Sequence, residues 1–232
     1  MRIEVLRGVD LEVEKGEIVG VVGASGAGKS TLLHLLGALD RPDSGEVHLN
    51  AREISHLPDR ELAQLRGKQI GFVFQLHHLL PEFSAIENVM LPRLVAGASR
   101  RDAARAAELI LGDVGLAHRL EHRPAELSGG EQQRVAVARA LVNEPLVVLA
   151  DEPSGNLDGE NARALQDLIW SLRESRGQTF IIATHDPAMA HRVDRTVRLE
   201  NGVISGASAD ALDPLVASSD SSADPSRVGR VR

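Results

Sequence analysis

Four apolar runs of strand length, at 17–22, 70–74, 146–150 and 179–183, are separated by longer stretches of helical periodicity. Continuous apolar runs suit strands buried on both faces, and long helical connections suit crossovers between parallel strands. The pattern predicts an α/β protein with a mostly parallel sheet. Helices are expected over 29–39, 101–113, 130–142, 161–175 and 187–191. Each strand run ends where a chemically distinctive residue begins, as expected if a ligand site lies along the carboxyl edge of the sheet.

With 232 residues and 43% hydrophobic content the chain can bury a full core. Its net charge of −7 argues against a surface built to hold nucleic acid, so no nucleic-acid partner is expected. The absence of cysteine removes disulfides and thiolate metal sites from consideration. The amino-terminal stretch lacks a signal-peptide pattern, and the longest apolar runs fall well short of the roughly 20 residues that cross a bilayer. Any membrane association is therefore expected through a partner. Between about 76 and 144 the strand signal gives way to helical pattern broken by Gly and Pro, which predicts a helical subdomain inserted into a domain spanning 1–206. The stretch 207–232, rich in Ser, Asp and Ala, reads as a disordered tail.

The first run leads into Gly23, Ala24, Ser25, Gly26, Ala27, Gly28, Lys29, Ser30 and Thr31, which fits the pattern GxxxxGK[ST] between an apolar strand and an apolar-periodic helix. The glycines let backbone N–H groups curl around an anion, and the following helix points its positive end at the same place. This is the phosphate loop of a P-loop NTPase. Lys29 is expected on the β- and γ-phosphates and the Ser30 hydroxyl on Mg²⁺.

The third run ends in Asp151 and Glu152. Asp151 is expected to hold Mg²⁺, through water, and Glu152 to act as the carboxylate that polarises an attacking water. His185 follows the fourth run; its imidazole is expected to contact the γ-phosphate or orient that water. Gln75 ends the second run at the seam with the helical insert, where it can ligate Mg²⁺ and sense the insert's position. Adjacent His77 and His78 do not readily chelate one metal ion, and no other ligand cluster is apparent.

Leu127 to Arg134 read LSGGEQQR, with Ser128 as a natural N-cap and Gly129 and Gly130 freeing backbone N–H groups. Read physically, this is a second anion-binding helix start, or only a capped helix. With GASGAGKST, Gln75, LVVLADEP, SGNLD and ATHD in the same order, the chain resembles the ABC ATPase family over about 5–204. The resemblance implies ATP hydrolysis and a head-to-tail homodimer. In it, ATP on the phosphate loop of one copy is closed over by Ser128, Gly129 and Gly130 of the other, with residues 154–158 cross-linking the sites. It also implies integral membrane permease subunits near Gln75, and a place on the cytoplasmic face of a bacterial inner membrane. Within the family, QLHHLLPEFSAIENV and ALVNEPLVVLADEPSGNLD resemble the lipoprotein-releasing branch, with MacB-type export and FtsE-type cell-division ATPases as neighbours.

The chain departs from the family pattern at its start. An amino-terminal strand and an adenine-stacking Tyr or Phe are usual there, whereas this chain has no Tyr, has no aromatic residue before Phe72, and begins at what reads as the second strand, 5–11. Either the start lies upstream, which we favour, or adenine is held without stacking, at a cost on the order of 1 to 3 kcal/mol.

Overall fold

A computed structural model describes residues 4–208 and 227–231. In chain order its elements are β1 Leu11–Glu14, β2 Ile18–Val22, α1 Lys29–Leu36, β3 Val47–Leu49, β4 Arg52–Glu53, α2 Asp59–Gln69, β5 Ile70–Phe74, α3 Ala85–Val95, α4 Arg100–Asp113, a 3₁₀ turn Pro124–Glu126, α5 Gly129–Leu141, β6 Val147–Asp151, α6 Gly159–Arg176, β7 Thr179–Thr184, α7 Pro187–Ala190, β8 Arg195–Glu200, β9 Val203–Ser208 and β10 Arg227–Val231.

The central sheet has the order β5-β6-β7-β2-β8-β9, parallel from β5 to β8 and antiparallel only at β9. Successive residues of its strands enter two different cores. In β6, Val148 and Ala150 join one core and Val147 and Leu149 the other; in β7, Phe180 and Ile182 part from Ile181 and Ala183 in the same way. Both faces are covered, which is why these strands read as unbroken apolar runs. One core is shared with α3, α4, α5 and α6, the other with α1, α2 and a second, antiparallel sheet of order β1-β10-β3-β4.

The helical stretch expected over 76–144 contains α3, α4 and α5, and α5 also packs on β5 and α6. At the α5–β5 contact a Cβ on Gly71 would lie 2.5 Å from the carbonyl oxygen of Ala140. Gly71→Ala is therefore expected to push α5 off the sheet and lower unfolding free energy by about 1 to 3 kcal/mol, measurable by urea denaturation. An unchanged midpoint would mean the contact is softer than described.

Two expectations need correction. Residues 5–11 form no strand before Leu11; Gly8 has φ 71°, and the Arg7 N–H donates to the Gly202 carbonyl at 2.7 Å, which ties the segment to the turn between β8 and β9. In the antiparallel sheet β10 pairs with β1 on one side and β3 on the other. Of the stretch expected to be a disordered tail, 207–208 belong to β9 and 227–231 to β10; residues 209–226 and 232 lie outside the described residues. Backbone groups between β1 and β3 need ladder partners, and β10 supplies them.

Among the described residues no helix is long and apolar enough to cross a membrane.

Candidate nucleotide site

The carboxyl ends of β2, β5, β6 and β7 lie along one edge of the sheet, because all four strands run parallel. Each delivers one part of the site. β2 leads into the phosphate loop, β5 into Gln75, β6 into Asp151 and Glu152, and β7 into His185. These residues line a single cavity of about 660 Å³, together with Val5, Gly23, Ala24, Ser25, Gly26, Gly28, Lys29, Ser30 and Thr31. The sequence-predicted Ala27 is buried beneath the loop.

The loop has the backbone an anion cradle needs. Gly26 and Gly28 have φ of 78° and 104°, conformations that side chains with a Cβ rarely adopt, and Gly28 stands at the start of α1 with no side-chain cap. The first N–H groups of α1 are thus left facing the cavity. Lys29 Nζ donates to the carbonyls of Gly23 at 2.9 Å and Ala24 at 3.3 Å and stands 3.8 Å from Glu152 Oε1, so the ammonium is held over the centre of the loop.

Glu152 is held in an unusual way. Its φ of 47° places a non-glycine residue in the left-handed region, at a cost of order 1 kcal/mol. Its N–H donates to the Ala183 carbonyl at 2.8 Å, which ties that backbone to β7. Both carboxylate oxygens then meet His185, Oε1 lying 2.9 Å from Nδ1 and Oε2 accepting the backbone N–H at 3.2 Å. The sequence placed His185 beside the γ-phosphate or the water; the structure makes Glu152 its direct partner. With Nδ1–H donating, that contact aims the carboxylate.

One site residue and one site contact escaped the sequence reading. Val5 lines the cavity, and Leu6 beside it lies so close to Gly28 that a Cβ there would come within 2.8 Å of its side chain. The cavity lining contains no Phe, Tyr or Trp, so no stacking platform is found among the described residues. The contact is that of Asn156, which hydrogen-bonds Gln75. No motif marked Val5; Asn156 lies within SGNLD, a segment the family resemblance placed between the two sites and not beside Gln75.

Ser128, Gly129 and Gly130 lie elsewhere and do not line the cavity. Ser128 caps α5 in a reciprocal box, its Oγ accepting from Glu131 N and its N–H donating to Glu131 Oε2. That N–H, aided by Arg119, holds the Glu131 carboxyl below the usual carboxylate range. The box does not use the N–H groups of Gly129 and Gly130. Ser128 and Gly129 are exposed, whereas Gly130 is buried against α6, where a Cβ would lie 2.3 Å from Asn161 Oδ1. Asp158, at the start of α6, is likewise held below the usual range, chiefly by the Asn161 N–H. The two capped helix starts therefore pack as one surface.

Between β5 and α3 the chain is irregular but well anchored. Gln133 donates to the Phe74 carbonyl, Arg139 to those of His77 and His78, and the fully buried Asn88 side chain bonds Leu80 N–H and the carbonyls of Leu80, Phe83 and Ser84. Burial keeps His77 below the usual imidazole range. On this frame Leu76, Leu80 and Phe83 are exposed, next to a groove of about 360 Å³ lined by Phe72, Phe74, Pro92 and Arg139.

A parallel sheet with a phosphate loop, two acids and a histidine on one edge defines a P-loop nucleotide hydrolase. The ABC transporter family model matches residues 6–155. Curated relatives include the lipoprotein-releasing system ATP-binding protein LolD of Saccharophagus degradans, 55% identical over 88% of this chain and 89% of that protein. LolD of Bacteroides thetaiotaomicron is 54% identical over 87% and 93%. Among solved structures, the dimeric ATP-binding cassette MJ0796 in a post-hydrolysis state bound to ADP and Pi is 38% identical, with TM-score 0.80, over 88% of this chain and 90% of that one. A second dimeric structure of MJ0796, described as a bacterial ABC transporter cassette, matches equally well. The chain belongs to the ABC transporter family. It is the ATP-binding and ATP-hydrolysing cassette of that family.

Proposed function

We propose that this cassette powers release of lipoproteins from a bacterial inner membrane, acting as a homodimer beneath two LolC- and LolE-like permease subunits on the cytoplasmic face. The identity to LolD proteins supports the substrate class. The dimer reading is carried by one observation: the Ser128–Gly130 helix start, though suited to phosphate, does not line the cavity that holds the phosphate loop. A second copy can bring its own to that cavity. On this reading 76–144 is the partner-facing part of the cassette.

Ser30, Asp151 and Gln75 offer a hydroxyl, a carboxylate and an amide oxygen on one cavity, a hard-oxygen set that fits Mg²⁺, which takes few protein ligands beside phosphate and water. When bound, the ion neutralises charge on the β- and γ-phosphates. Lys29 and the loop N–H groups bind and orient the same phosphates. Glu152, aimed by His185, accepts the proton of the attacking water, and the partner's Ser128 and Gly129 exclude bulk water from the closed site. Exposed Leu76, Leu80 and Phe83 and the adjoining groove give a membrane subunit an apolar seat close to Gln75, so that closure and the partner's shape are linked.

Affinity purification of the chain from detergent-solubilised membranes tests this. Two related permease-like subunits with large periplasmic domains are expected. A single such subunit would instead identify a MacB-like exporter, and nucleic acid alone would overturn the transport reading.

A further inference from the structure

Gln75 and Asn156 are bonded to each other in both directions. Asn156 Nδ2 donates to the backbone carbonyl of Gln75 at 3.1 Å, and Gln75 Nε2 donates to Asn156 Oδ1 at 3.1 Å. Together the two bonds decide which way round each amide sits. A backbone carbonyl can only accept, so the Asn156 amide must turn its NH₂ toward it, which turns Oδ1 toward the Gln75 side chain. That oxygen also can only accept, so Gln75 must answer with its own NH₂. The corner left on the Gln75 amide is Oε1, on a side chain that lines the nucleotide cavity.

The surroundings reinforce this arrangement. A Cβ on Gly155 would lie 2.9 Å from Gln75 Nε2 and 3.3 Å from both its Cδ and the Glu152 carbonyl oxygen, so the amide rests against the loop that follows the catalytic acid. Asn156 itself is exposed and outside both cores, so the contact is not a by-product of burial.

We propose that Asn156 is a positioning residue that sets the polarity of the Gln75 amide, so that oxygen and not NH₂ is offered to the Mg²⁺ of the nucleotide. This rests on the reading of Gln75 as a magnesium ligand. An NH₂ turned toward a cation carries the wrong partial charge, and a freely rotating amide must be ordered each time the ion binds. Asn156 performs that ordering in advance.

The test uses Mn²⁺ in place of Mg²⁺, titrated into ATP-loaded full-length Glu152→Gln protein, with free Mn²⁺ followed by electron paramagnetic resonance. Binding is thereby read without turnover. Asn156→Leu, similar in size but without hydrogen-bonding groups, is expected to weaken Mn²⁺ binding roughly five- to tenfold, the worth of one or two hydrogen bonds. ATP affinity without the cation is expected to stay unchanged. Gln75→Glu presents oxygen at both corners and needs no polarity set, so adding Asn156→Leu to it is expected to cost nothing further. An unchanged Mn²⁺ affinity in Asn156→Leu, while Gln75→Ala binds Mn²⁺ more weakly, would overturn the role of Asn156 alone. Equal losses from Asn156→Leu in the Gln75 and Gln75→Glu backgrounds would overturn it too. If Gln75→Ala binds Mn²⁺ normally, Gln75 is not a ligand and both readings fall.

Discussion

Glu152→Gln is expected to bind ATP as tightly as the unmodified chain and to hydrolyse it at least a hundredfold more slowly, within the range of about 10² to 10⁴ attributed to a positioned base. The substitution is a narrow one. Glutamine keeps the volume and can still accept from His185 Nδ1 through its carbonyl oxygen, the contact that spans 2.9 Å in the structure. What it cannot do is take a proton from water. Turnover of ATP in single-turnover and steady-state assays, beside an equilibrium measurement of ATP affinity, separates these properties. Hydrolysis at the unmodified rate would remove Glu152 from its role, and the strained φ of 47° would then need another reason.

Ser128→Arg should produce the second large effect, from outside the cavity. Ser128 is exposed and outside the cavity, so nucleotide binding to a single copy is expected to be unaffected. Loss of its cap on Glu131 N–H costs about 1 kcal/mol of stability, too little to unfold the chain. The bulky cation at the start of α5 would, however, block approach of a second copy's phosphate loop, and ATPase activity should fall on the order of a hundredfold or more. The check is a steady-state ATPase assay beside nucleotide binding. Activity retained at high protein concentration would mean that α5 does not close the site.

The parts of this site that stand on parallel strands could be read from the sequence, and the reason is geometric. A strand buried on both faces announces itself as an apolar run, and the residue after it falls on the ligand edge whatever the order of strands. Gln75, Asp151, Glu152 and His185 were legible in that way. Which of them touch was not, because the His185–Glu152 contact depends on β6 and β7 being neighbours, with Asp151 opposite Ala183. The Asn156–Gln75 contact was hidden for a similar reason, the two residues lying 81 apart in sequence.

The fold shows the same division. Helix α2 buries only Leu62 and Leu65, too few for a visible stripe, and α3 carries Pro92 within it, which masks an otherwise readable Ser84–Glu87 capping box. Strands β3 and β4 have three and two residues, below what periodicity can register. The pairing of β10 with β1 joins residues near opposite ends of the chain and has no local signature. Val5 was read as part of a strand, whereas the chain turns at Gly8 and Val5 lines the cavity.

The central claim is that the phosphate loop and the Ser128–Gly130 helix start are halves of a site completed by two copies. Sedimentation velocity tests it most directly, with Glu152→Gln and Glu152→Gln/Ser128→Arg compared at saturating Mg²⁺ and ATP. The account predicts that the first sediments as a dimer with ATP and as a monomer with ADP, while the second stays monomeric with ATP bound. Equal dimerisation of both proteins, or a Glu152→Gln protein that remains monomeric while saturated with ATP, would contradict it.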